Sequence, residues 1–111
     1  MTLRNTRGAD VVRDLGVDPT DARGIIDGCS RIAAKTLGIP RPEVETSTTP
    51  SRAKVAAKGR YLAGTITLFP PAFADPLTLA WTVLHEVGHA SGLNERAADA
   101  FAARFLSGKK V

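Results

Sequence analysis

The chain has a single cysteine, Cys29, so it cannot close an internal disulfide, and its fold does not depend on an oxidising compartment. Aromatic residues are scarce at 5%, with one tryptophan and one tyrosine, which argues against a stacking surface for single-stranded nucleic acid. No apolar stretch approaches the roughly 18 residues of a membrane span. The opening M-T-L-R-N-T-R-G puts charge where a signal peptide needs an apolar run. A cytoplasmic protein with no membrane contact is expected. Its 111 residues suit one domain, 1–111, with room for a core. The net charge of +4 is modest and reads first as a solubility device.

Histidine is nearly as scarce, and both copies fall in one motif. His85, Glu86 and His89 read H-E-x-x-H. Positions four apart stack on the same face of a helix, so two imidazoles at this spacing can grip one metal ion. Glu86, turned about 100° from His85, flanks that ion where a general base would stand. Catalytic zinc normally takes three protein ligands. With no histidine left, the third must be a carboxylate or the Cys29 thiol. Glu95 and Asp99 follow on one face of a second predicted helix, after Gly92, which suits a turn with positive φ. Glu95 is the expected ligand, with Asp99 as the competing choice. If Glu95 binds, Asp99 is placed to accept the free N–H of a liganding imidazole. A lone histidine on a helix is more often a surface or core residue than a ligand; here the offset, the intervening acid, the turn and the following acids coincide.

The rest of the chain supplies a frame. A short helix is expected over Gly8 to Leu15. A longer one should begin at Asp18–Pro19, run through an apolar stripe that includes Ile25, Ile26, Cys29 and Ala33, and stop at Gly38. Cys29 reads as a buried core thiol. Glu43 to Thr48 has strand character, ended by Pro50. Arg52, Lys54, Lys58 and Arg60 alternate with small or apolar residues as a basic ribbon, the pattern of a solvated strand face. Lys58–Gly59 looks like a hairpin turn leading to a strand over Tyr61 to Phe69, whose exposed edge offers a place for an extended peptide. Asp75–Pro76 opens the metal helix, which should run to about Ser91, with Ala80, Val83, Leu84, Val87 and Ala90 inward and Thr78, Thr82, His85, Glu86 and His89 on the other arc. Trp81 flanks that arc and reads as a packing residue. Asn94 caps the last helix, and Ser107 to Val111 should fray. The class is α+β: N-terminal helices, a short mainly antiparallel sheet, and an active-site helix packed with a C-terminal glutamate helix.

The stretches G-T-I-T-L-F, T-V-L-H-E-V-G-H and E-R-A-A-D-A-F-A-A-R-F-L resemble the short zincin metallopeptidases, and more narrowly the ImmA/IrrE family of bacteria, phages and mobile elements. The resemblance runs from about Gly59 to Leu106. It implies a zincin-like fold, one Zn2+ per chain held by His85, His89 and Glu95, Glu86 as base, and Asp99 behind the ligands. It further implies cleavage of a protein substrate such as a helix-turn-helix repressor of a phage or mobile element. The six-residue step from His89 to Glu95 is shorter than is usual in that family and matches metzincin spacing, with glutamate in place of the third histidine.

Read as an enzyme, Glu86 takes a proton from water activated at zinc and returns it to the leaving amine. A second electrophile for the oxyanion is missing; Tyr61 and Arg60 are the nearby candidates, both weak in chemistry. The rival reading is a zinc-stabilised protein-binding module that cuts nothing. Nucleic-acid binding through the basic ribbon is disfavoured, because no aromatics interleave with its charges.

Overall fold

The computed structural model describes Leu3, residues 6–49 and residues 57–107. Its elements are α1 (Ala9–Arg13), α2 (Ala22–Leu37), strands β1 (Glu43–Thr46), β2 (Gly59–Leu62) and β3 (Thr65–Leu68), a 3-10 turn (Pro70–Phe73), α3 (Pro76–Ala90) and α4 (Glu95–Leu106). The class is α+β, as the sequence implies. Arg52 and Lys54 of the basic ribbon, the strand-ending Pro50 and the tail beyond Ser107 lie outside the described residues.

Local chemistry explains most boundaries. Asp75 accepts the Thr78 N–H at 2.7 Å and Pro76 fills the first position of α3, so the expected cap is formed. Arg7 reaches the same carboxylate at 3.3 Å, and together these contacts hold Asp75 below its ordinary pKa despite burial. Asn94 caps α4 through the Ala97 N–H. Gly38 ends α2 at φ 69°. The start of α2 differs from expectation. Asp18 closes a turn onto the Thr20 N–H and hydroxyl, and the helix begins only at Ala22. A side chain that satisfies its own turn is not available to a helix three residues later.

The sheet also departs from the expected, mainly antiparallel one. Its order is β1-β3-β2, with β2 antiparallel and β1 parallel to β3. The hairpin turn is not Lys58–Gly59: Gly59 begins β2, and the corner is made by Ala63 (φ 51°) and Gly64 (φ 87°). Two successive positive φ values are those of the tight turn that matches strand twist. The single strand read over Tyr61 to Phe69 is therefore two strands and their turn. Its later part, β3, is central and has no open edge; the edge nearest α3 belongs to β2.

Ile66 and Leu68 on one face of β3 meet Ile25, Leu79, Val83 and Leu84 in a core with no solvent exposure at these residues. Ala80 and Val87 are equally buried, so the inward arc of α3 is as patterned except at its end, where Ala90 is only half-buried. The helix is not half-wet, however, since Thr82 and Glu86 on its other arc are buried too. Cys29 sits in this core, where burial alone pushes its thiol up to about 12, so the inert reading of that residue holds. No helix among the described residues is long and apolar enough to cross a membrane.

Candidate metal centre

Two glycines let α3 and its neighbours approach closely. The helix ends in a turn in which the Gly92 N–H donates to His89 O at 2.9 Å and the Leu93 N–H to Gly88 O at 3.1 Å, with Gly92 at φ 99°. This paired closure is the Schellman arrangement, and it reverses the chain onto α4. At Gly88 a Cβ would stand 3.3 Å from Ala98 Cβ, so the bare backbone is what lets α4 lie against α3. On the opposite flank a Cβ on Gly59 would come within 2.7 Å of Thr82 Cγ2 and 3.2 Å of Glu86 Cγ, so β2 also presses directly on the helix. Neither glycine stands out in the sequence as functional. The available signal was a glycine inside a strand or helix pattern, which marks close backbone approach.

The turn brings the expected residues together. His85 Nε2 and His89 Nε2 are 3.0 Å apart, His89 Nε2 is 2.6 Å from Glu95 Oε1, and His85 Nε2 is 3.4 Å from Glu95 Oε2. His89 Nδ1 lies 2.9 Å from the Leu93 carbonyl, which only accepts, so this nitrogen carries a ring proton; Nε2 carries a second one in its bond to Glu95 and offers its lone pair only when a metal takes that proton's place. Asp99 Oδ1 stands 2.8 Å from His85 Nδ1, an ion-pair distance. The ring N–H is out of line with it, and Nδ1 makes no hydrogen bond. Asp99 is thus beside the imidazole as expected, at hydrogen-bonding distance but not in hydrogen-bonding alignment. The Leu93 carbonyl, which does the same for His89 with good geometry, carries no residue signature and was not foreseen.

These three donors fit a metal ion. Four ligands at about 2.0–2.1 Å from tetrahedral zinc are separated by about 3.3 Å, close to the 3.0 Å between the two Nε2 atoms and the 3.4 Å from His85 to Glu95 Oε2, whereas His89 meets the other Glu95 oxygen. That last contact is a direct hydrogen bond that a cation would replace. Two nitrogen lone pairs and a carboxylate converging on one point need positive charge between them, as a proton or a metal. The His-His-Glu group can hold such an ion. Cys29, buried in the core, is no part of the group.

Electrostatics follow from this crowding. For His89, burial favours the neutral ring, but the Leu93 carbonyl and the Glu95 and Glu86 carboxylates outweigh it and raise the pKa. For Glu95, slight burial is outweighed by the two histidines, and the pKa falls. Glu86, 6% exposed, goes the other way: burial raises its pKa, against the pull of both histidines and of the Tyr61 main-chain N–H. Its Oε2 is 4.0 Å from His85 Nε2, beside the donors rather than among them.

Two of the donors, His85 and Glu95, line a cleft of about 320 Å³ together with Ala57, Lys58, Gly59, Trp81, Thr82 and Glu86. Trp81 both packs on the core and walls this cleft. Neither oxyanion candidate lines it. Arg60 lies over the Phe69 ring, 6.0 Å from its centre, and Tyr61 packs on the core. Strand alternation accounts for Arg60, since Gly59 faces α3 and Arg60 therefore faces away, while Tyr61, on the same side as Gly59, packs on the core. Two larger hollows, each about 540 Å³, flank β1 and contain none of the donors, so volume does not locate the chemistry. Compared with protein-family models, with curated proteins and with solved structures, the chain matches none.

Proposed function

We propose that the chain is a zinc-dependent peptide hydrolase of the short zincin kind, similar to the ImmA/IrrE proteins, acting on a protein substrate in the cytoplasm. The reading is supported above all by one observation: His85, His89 and Glu95 converge at the mouth of a cleft whose wall includes the buried carboxyl of Glu86. His85, His89 and Glu95 would hold the metal, with Asp99 and the Leu93 carbonyl fixing the two rings. Zinc, when bound, supplies Lewis acidity toward a peptide carbonyl and toward water. Glu86 is the proton carrier. Its raised pKa brings it nearer the range in which a carboxyl both accepts a proton and returns it to a leaving amine. Trp81 and the main chain of β2 flank the substrate and exclude water from one side. A helix-turn-helix repressor is the substrate that the resemblance suggests; the geometry is neutral on this point.

The alternative, a zinc-stabilised binding module, is favoured by one specific feature: neither the Arg60 nor the Tyr61 side chain reaches the cleft to stabilise an oxyanion. Glu86→Gln separates the two. The hydrolase loses cleavage of a casein or peptide-library substrate while keeping one zinc per chain and its melting temperature. Cleavage persisting at the wild-type rate in Glu86→Gln, or full zinc retention in His85→Ala, overturns the hydrolase reading.

A further inference from the structure

Among the described residues, the edge of the sheet farthest from β2 is an unpaired strand. In a parallel ladder, successive residues turn their main-chain groups alternately toward the neighbouring strand and away from it. The Ser47 N–H donates to Leu68 O at 2.8 Å, which sets the phase. Glu43, Glu45 and Ser47 face β3, while the N–H and C=O of Val44 and Thr46 face outward. Among the described residues nothing pairs with that edge. Beside it open the two hollows of about 540 Å³, one reaching α2 and floored by Ile26 and Phe73, the other bounded by Glu43 and Glu45.

Among the described residues, the charge around this edge is one-sided. Arg41 is committed to Asp27 at 2.8 Å. Asp21 occupies the N-cap position of α2, yet its side chain caps nothing. Among the described residues lining the two hollows this leaves Asp21, Glu43 and Glu45, the last also accepting the Thr67 hydroxyl at 2.9 Å, against one further cation, Arg23. We propose that β1 is a docking edge for an extended basic segment of a partner protein, which joins the sheet as a fourth strand beside Val44 and Thr46. Strand alternation then fixes its pattern: lysine or arginine next to Glu43 and Glu45 on one face, and apolar residues toward Ile26 and Phe73 on the other. A second copy of this chain is a poorer occupant. Antiparallel registers that align Val44 with Val44 or with Thr46 set Glu43 against Glu45, or Glu45 against itself, and like charges directly opposite are destabilising. The docking edge lies across the central strand from the metal donors and does not rest on hydrolysis.

The test uses the full chain and a fluorescein-labelled peptide of alternating lysine and valine, followed by anisotropy and by amide exchange. Expected are saturable binding, new protection at Val44 and Thr46, unchanged affinity in Glu86→Gln, and a loss of about tenfold or more in Asp21→Lys/Glu43→Lys. An alternating glutamate and valine peptide should not bind the wild-type protein, which keeps the test independent of how any variant folds. The proposal is overturned by no saturable binding, by equal affinity for the acidic peptide, or by protection at Gly59 and Tyr61 in place of β1. Self-association that protects Val44 and Thr46 without peptide also overturns it.

Discussion

A methyl group added at Gly59 tests how β2 meets the metal helix. The new Cβ would stand 2.7 Å from Thr82 Cγ2, about 0.7 Å inside the 3.4 Å at which carbon contacts become ordinary. Thr82 cannot easily turn aside, because it is buried and its hydroxyl donates to Thr78 O at 2.7 Å. The strand must back away. Overpacking of this kind costs about 1–3 kcal/mol, and the lower entropy of the unfolded alanine chain offsets about 0.4–1 kcal/mol. Gly59→Ala should therefore lose about 1–2 kcal/mol, or roughly 5–10 °C in melting temperature for a domain of this size. The Tyr61 N–H that faces Glu86 moves with the strand, so peptide cleavage should fall by about 10²-fold, the usual effect of misplacing a reacting group by about 1 Å. Thr82→Ser removes the clashing methyl and keeps the hydroxyl, so the double variant should regain most of the stability. Thermal unfolding of the four proteins measures the coupling. If Gly59→Ala melts with the wild type, or Thr82→Ser fails to rescue it, the close approach of strand to helix is not what holds Glu86.

Three further outcomes are expected. In metal-free protein the raised pKa of His89 contributes stability that is full below its ordinary 6.5 and lost as pH rises through the folded value. The lowered pKa of Glu95 contributes stability present above its ordinary 4.5 and lost as pH falls through the folded value. From these two groups, melting temperature in EDTA should be highest between these two pH values and decline as pH rises above 6.5, while buried Glu86, with its raised pKa, contributes a loss that already begins above 4.5. Zinc should reverse the trend, because the metal competes with the proton on His89; parallel curves with and without zinc would refute the shared site. Gly92→Val, at φ 99°, should cost about 2 kcal/mol and weaken zinc retention in a chelator competition, while Gly92→Asn should cost less. Ala63→Asn should stabilise the protein by about 0.5–1 kcal/mol in urea unfolding, since asparagine tolerates the left-handed conformation at the first position of this turn better than alanine.

What could be read from the residues was the chemistry that acts over a few positions. The Asp75–Pro76 and Asn94 caps, the stop at Gly38, the positive φ at Gly92 and the convergence of His85, His89 and Glu95 all follow from spacing along one or two helical turns. The parallel pairing of β1 with β3 was not legible, because Glu43–Thr46 and Thr65–Leu68 are brought together only by packing on α2 and α3. Lys58–Gly59 and Ala63–Gly64 carry similar turn signals, and alanine at positive φ hid the real corner. Asp18 looks like the cap of α2 but closes its own turn, and the N-cap position falls instead on Asp21, whose side chain caps nothing. Arg60 was placed near the metal by sequence proximity and is turned away by strand alternation. Contacts within one or two helical turns, the metal donors among them, are thus written in the residues, while strand pairing is decided by packing between distant elements.

The bond from His89 to the Leu93 carbonyl has a consequence for how this corner tolerates change. Every amino acid brings the same oxygen, so position 93 is free to drift within the limits of its apolar neighbours and leaves the imidazole's aim intact. Length is another matter: one inserted residue would swing the following helix by about a quarter turn and carry its acid out of reach. Substitution is cheap at that corner and insertion is not, so variation there should be found in spelling and not in spacing.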